Sequence, residues 1–238
     1  MTAKAKAPGG WQQYCALLGK DIRMELRTRE MLVSMGVYAI LVLTIYGAAL
    51  SQTASSFDIL SVAAGLMWAL ILFTSLLGLN RSFSHETENS SLEGILLTPV
   101  SRPLVFAAKA TSNLIFLLAV EVIAVPLFFI FFMGQAELGS TTPLMILPII
   151  LGSIGIAGIG TFLSTLTLNT RGRDVLLAIL MVPVVFPLLY ACVSATSVAL
   201  LGIEGQIEIF WRSLLLAGGY DVIMLAASWG LYEFVLGS

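Results

Sequence analysis

The chain has 238 residues, of which 58% are hydrophobic and 11% charged, with a formal net charge of −2. Soluble domains carry about 25% charged residues, so an ordinary water-soluble fold is excluded, and no nucleic-acid partner is expected. Two cysteines, Cys15 and Cys192, sit in different parts of the chain and cannot form a disulfide framework.

The first element in chain order is "WQQYCALLGKDIRMELRTRE", residues 11–30. Trp11, Cys15, Leu18, Ile22 and Leu26 recur at helical spacing, while Gln12, Lys20, Arg23, Arg27 and Glu30 occupy other faces. This pattern predicts a basic amphipathic helix lying in the inner membrane interface. A plain cytoplasmic extension of the first span is the alternative. Residues 1–30 are thus set apart from 31–238, which read as a single membrane domain.

Six stretches reach membrane length: Met31–Leu50, Ile59–Leu79, Ala110–Met133, Leu144–Leu168, Val175–Leu201 and Ser213–Tyr232. A bilayer needs about 20 consecutive apolar residues per helix. The runs are too long for strands and lack period-two alternation, so the expectation is an all-α membrane protein with six transmembrane helices. The first span follows a basic helix rather than a short charged tip, so no cleavable signal peptide is expected. With the N-terminus inside, eleven of the twelve Lys and Arg residues fall on the inner side and only Arg212 falls outside. The positive-inside rule therefore places both termini in the cytoplasm.

Between spans two and three lies "HETENSSLEGILLTPVSRPLVFAAK", residues 85–109. The lone histidine, His85, reads as a solvated loop residue, because a metal site needs several ligands. Ser91 and Glu93 suit the start of a short helix, with the acid near its positive end. Leu92–Leu97 is amphipathic; Pro99 should end it, and Pro103 should keep helix from resuming before Lys109. An acidic, leucine-rich segment on the inner face calls for a surface to cover it. A soluble partner docking there fits better than a bare connecting loop.

The later spans carry three further features. Glu121 in span three and Asp221 in span six lie deep in the apolar runs, where a charge costs at least about 2.5 kcal/mol. Each should face the protein interior, as a proton relay or as an interhelical hydrogen bond, with Asn113, Tyr190, Tyr220 and nearby Ser and Thr as possible partners. In span four Ser153, Ala157, Gly160 and Ser164 form a small-residue stripe for close packing, within the chain or across a dimer. Pro183 and Pro187 should kink span five. No GxxxxGK[ST], HExxH or CxxCH motif occurs, and no span holds a histidine, so no covalent chemistry is expected of this polypeptide.

The inner segment resembles that of type-2 ABC permeases, and most closely the CcmB family of cytochrome c maturation. Glu86, Glu88, Leu92, Glu93, Gly94, Pro99, Arg102 and Lys109 match the family pattern, while Ser90 stands where the family more often has glycine. The basic N-terminal helix, the six spans, Glu121 followed by Pro126 and the closing "DVIMLAASWGLYEFVL" extend the resemblance over nearly the whole chain. It implies a permease subunit in the bacterial inner membrane, with haem as possible substrate and no cofactor of its own. It also implies partners: an ATP-binding subunit docked on the inner segment and N-terminal helix, a haem-binding membrane subunit, a small membrane helper and a periplasmic haem chaperone. A type-2 permease for a lipid, glycan or drug, or a non-ABC scaffold, is the alternative reading of the same residues.

Overall fold

A computed structural model describes residues 9–51, 59–88, 101–133, 140–168, 170, 172–202 and 205–235. Among these residues there are seven α-helices and no strand. They are α1 (Gly10–Thr28), α2 (Glu30–Ser51), α3 (Ile59–Glu88), α4 (Arg102–Met133), α5 (Ile146–Thr167), α6 (Arg173–Leu201) and α7 (Ile207–Val235), with a 3-10 turn at Thr142–Met145 leading into α5. Helices α2 to α7 are long and apolar enough to cross a membrane. Inside lipid the backbone has no other way to pair its polar groups. The fold is therefore the expected all-α, six-span arrangement preceded by a shorter helix. The expected coupling helix at Leu92–Leu97, including Glu93 and Gly94, lies outside the described residues.

Two helices run further than their apolar cores. Span two continues past Leu79 as α3 to Glu88, and α4 already begins at Arg102. The expectation that Pro103 would delay the helix is overturned. Pro103 is the second residue of α4, where its missing N–H would have had no partner in any case. The Ser101 carbonyl accepts from the Leu104 and Val105 amides at 3.0 and 3.3 Å, closing the first turn around the proline. Helix α6 stays one helix through Pro183 and Pro187, and the Tyr220 hydroxyl of α7 donates to the Val184 carbonyl between them. Gly172 (φ 75°) and Gly202 (φ 60°) flank α6 in the left-handed region, which glycine enters without a Cβ clash.

Helices α3 and α5 form the centre. Of their most apolar segments 67% is buried inside the chain, against 17% for α7. The remaining helices wrap this pair and turn Val37, Ile123, Ile179, Phe186, Leu215 and Val222 outward. An apolar surface of that extent requires lipid around it. The chain is a multi-pass membrane protein.

Close approach at the centre depends on small side chains in α5. The Trp68 ring of α3 lies against Gly152, so that a Cβ there would strike it. Its Nε1 donates to Thr196 Oγ1 of α6 at 3.0 Å. Leu79 fills the space beside Gly160. The stripe Ser153, Ala157, Gly160 and Ser164 is buried within the chain's own bundle, so it serves internal packing and offers no outward dimer face.

Candidate functional site

Two regions carry the candidate residues, one where α1 packs on the first turns of α4 and the chain passes from α3 to α4, and one halfway along the bundle. Of the expected docking residues, Glu86 and Glu88 fall in the last turn of α3 and Arg102 is the first residue of α4. Leu92, Glu93 and Gly94 belong to the segment between them, outside the described residues. Docking group and helix ends are therefore contiguous in the chain, with α3 leading in and α4 leading out.

Helix α1 has three faces rather than the two its sequence suggested. Asp21 and Glu25, one turn apart, are buried against the bundle. Asp21 Oδ2 lies 3.0 Å from Lys109 Nζ of α4, and both side chains are almost wholly enclosed. Its other oxygen lies 3.3 Å from Lys20 Nζ. On the same face the Tyr14 hydroxyl donates to Thr111 Oγ1 at 3.0 Å. Glu25 Oε1 accepts the backbone N–H of Leu32 at 2.8 Å. That amide is one of the unpaired donors at the start of α2, and a carboxylate is favoured there by the helix dipole. Arg29, in the left-handed region at φ 57°, makes the elbow, and its amide donates to the Glu25 carbonyl.

The second face is the apolar stripe. Leu18 and Ile22 are half-buried, whereas Trp11 is 76% and Leu26 59% exposed. Ile22 packs against the core of the bundle, whereas Trp11 and Leu26 do not hold α1 to the protein. Exposed Trp and Leu on an interfacial helix are what a bilayer boundary would cover. The third face carries Lys20, Arg23 and Arg27, all exposed. At about 100° per residue, Arg23 and Arg27 lie across the helix from Asp21, while Lys20 borders it and reaches its carboxylate.

Halfway along the bundle the two acids flank α5. Ser153 Oγ lies 2.8 Å from each oxygen of the Glu121 carboxyl, and the Ile149 carbonyl, 2.7 Å away, is the hydroxyl's competing acceptor. On the other side, Asp221 of α7 packs against Gly155 so closely that a Cβ there would fall on its carboxyl and on Leu188. Both Asp221 oxygens are buried without a hydrogen-bond partner. Ser153 and Gly155 are two residues apart, roughly 200° around the helix and about 3 Å along it. The acids thus sit at nearly one depth on opposite sides of α5.

Most of the partners expected for these acids do other work. Asn113 Nδ2 donates to Thr161 Oγ1 at 2.9 Å, Tyr220 bonds Val184, and Tyr190 is exposed. Glu121–Ser153 and Asn113–Thr161 are two rungs of one antiparallel α4–α5 ladder, about 12 Å apart. Sequence reasoning passed over Asp21 and Glu25, and singled out Lys109 only as a match to the family pattern and not as a buried partner. The available signal was two acids one turn apart inside an otherwise basic helix. No group of three or more His, Cys, Asp or Glu residues suited to a metal ion occurs among the described residues.

A family model described as "CcmB protein" matches residues 12–228, from α1 to the last turns of α7. The chain belongs to the CcmB family. The matched residues take in the polar contacts of α1, the α4–α5 ladder and Asp221 together. Among curated relatives, the protein named Heme exporter protein B of Pseudomonas aeruginosa is 25% identical over 92% of this chain and 96% of its own length. Proteins of the same name from Rhodobacter capsulatus and Haemophilus influenzae are 27% and 22% identical, over 73% and 90% of this chain and 78% and 96% of their own lengths.

Proposed function

We propose that the chain is the membrane-spanning permease subunit of a haem-exporting ABC transporter of cytochrome c maturation, lying in the bacterial inner membrane with both termini cytoplasmic. The observation that carries this reading is the family match over residues 12–228, reinforced by relatives named as haem exporters that align almost end to end. The sequence has no phosphate-binding GxxxxGK[ST] loop, so ATP is hydrolysed by a partner subunit. That partner docks on Glu86, Glu88, Leu92, Glu93 and Gly94, beside Arg102 and the basic row Lys20, Arg23 and Arg27. A haem-binding membrane subunit and a small helper complete the assembly, which serves a periplasmic haem chaperone. Residues 31–238 act as one permease domain, and 1–30 as its interfacial and docking extension.

The three-faced α1 supports this division of labour. One face is tied to α4, one is apolar enough for lipid, and one presents positive charge to the aqueous side, where an acidic protein surface would be steered to it. Purifying the complex from native membranes tests the proposal. An ATP-hydrolysing subunit and a haem-containing membrane protein should co-purify with the tagged chain. Recovery of an ATPase with a lipid- or glycan-handling partner and no haem protein would refute the haem assignment. Recovery of no ATPase would refute the transporter assignment.

A further inference from the structure

A buried ion pair is weak as a source of stability, because two apolar side chains of similar size often do as well. What an Asp–Lys pair supplies is register, since it fixes both the rotation and the height of one helix against another. The Asp21–Lys109 pair is placed where register matters for transport. Lys109 lies two turns into α4, and α4 begins immediately after the 89–100 segment. Ser112 supports the pair from the same helix, its hydroxyl near Asp21 and bonded to the Lys109 carbonyl at 3.0 Å. One turn beyond Asp21, Glu25 holds the Leu32 amide of α2. Polar contacts therefore run from α4 to α1 and on to α2.

The helix on the other side of the segment is anchored elsewhere. Arg173, the first residue of α6, donates from Nη2 to the Asn80 carbonyl of α3 at 3.3 Å. A displacement that parts the ends of α3 and α4 is thus divided. The α3 side loads α6 and also α2, whose Met31 and Met35 pack against Gly78, and the α4 side loads α1.

Resting on the reading that the 89–100 segment docks the ATP-hydrolysing partner, we propose that the Asp21–Lys109 pair locks α1 and the cytoplasmic end of α4 into one lever, with both residues positioning the partner's input for energy coupling. The two elements that face the partner, the segment leading into α4 and the basic row of α1, then move together. Without the pair, α1 can slip against α4 while each still touches the partner. Coupling is carried by a contiguous set of contacts, and its loss separates ATP hydrolysis from haem delivery.

The test uses the full complex, with the ATPase subunit, haem-binding subunit and helper co-expressed. Asp21→Asn and Lys109→Gln are compared with the exchanged pair Asp21→Lys/Lys109→Asp. Three quantities are read: ATPase subunit bound per permease, ATP hydrolysis, and cytochrome c formed. Each single variant should keep the ATPase bound and hydrolysing while cytochrome c formation falls roughly tenfold. The exchange should recover most of that loss. The inference is overturned if either single variant forms cytochrome c at the wild-type level, if the exchange leaves the defect in place, or if maturation falls only in step with permease yield.

Should the single variants fail to reach the membrane, Asp21→Cys/Lys109→Cys on a Cys15→Ser/Cys192→Ser background replaces the ion pair with a short bis-maleimide bridge. Bridged complexes should couple hydrolysis to haem delivery, and unbridged ones should not. Equal activity in the two states would overturn the lever. A wild-type complex that binds no ATPase would instead sink the underlying functional reading.

Discussion

The Glu121–Ser153 contact yields an asymmetry that its two partners do not share on paper. When Glu121 is replaced by Leu, Ser153 keeps an acceptor, because the Ile149 carbonyl lies 2.7 Å away. The loss is then one interhelical hydrogen bond, about 0.6 kcal/mol on average in membrane proteins and at most about 1.7. When Ser153 is replaced by Ala, the Glu121 carboxyl loses the hydroxyl whose single proton lies within reach of either of its oxygens. It is left buried and unsatisfied, at about 1–3 kcal/mol or more. Glu121→Gln keeps an acceptor oxygen for the same hydroxyl and should cost least. The expected order of destabilisation is therefore Ser153→Ala, then Glu121→Leu, then Glu121→Gln. Unfolding free energies in bicelles, measured by steric trapping, would rank the variants, and the double mutant Glu121→Leu/Ser153→Ala should resemble Glu121→Leu alone. If Ser153→Ala is neutral while Glu121→Leu costs several kcal/mol, the hydrogen-bond reading is wrong. If Glu121→Gln is as stable as wild type yet abolishes cytochrome c maturation, the ionisable proton matters in its own right, and the contact belongs to a relay.

Charge reversal at Glu86 and Glu93 should release the ATPase subunit while the permease stays in the membrane; co-purification at the wild-type level would reject the docking assignment. Cysteines at Ser55, Gln135 and Gln206, in a variant lacking Cys15 and Cys192, should label from outside, whereas those at Ser90 and Thr170 should not. External labelling of Thr170 would overturn the inside-out order of the spans. Gly155→Ala should destabilise the bundle by about 1–3 kcal/mol through overpacking against Asp221 and Leu188, and Asp221→Ala in the same chain should recover part of the loss. A Gly155→Ala protein as stable as wild type would mean that α5 and α7 have more room than their packing shows.

What was legible in the sequence follows from which physical constraint each feature answers. The six spans answer to the bilayer, which demands length and apolarity in an unbroken run, so Met31–Leu50 anticipates α2 within a residue at each end. Helix ends answer to local pairing instead. Span three was placed from Ala110 because Lys109 and Arg102 look like aqueous residues. The structure shows Lys109 buried by a carboxylate from a distant helix, and no hydropathy pattern contains that information.

The expected amphipathic helix stands as α1, and the same reasoning explains why the polar face that ties it to the bundle was not legible. In water an apolar stripe marks the face that packs, and Trp11, Cys15 and Leu26 would be its core. At a membrane boundary lipid can take that stripe, and the protein is then free to hold the helix by polar contacts. Tyr14, Asp21 and Glu25 do so. Apolar surface therefore cannot distinguish protein neighbours from lipid neighbours in this chain, whereas a buried polar atom can, because it must find a specific partner. Glu121 finds Ser153, Asn113 finds Thr161, and Asp21 finds Lys109. Each pair fixes which helices adjoin and at what height, while the surrounding leucines and isoleucines fill whatever space that register leaves. Asp221 is buried just as deeply yet has no such partner, so the closeness of α5 and α7 at that depth rests on the bare Cα of Gly155 and not on a bond to the acid.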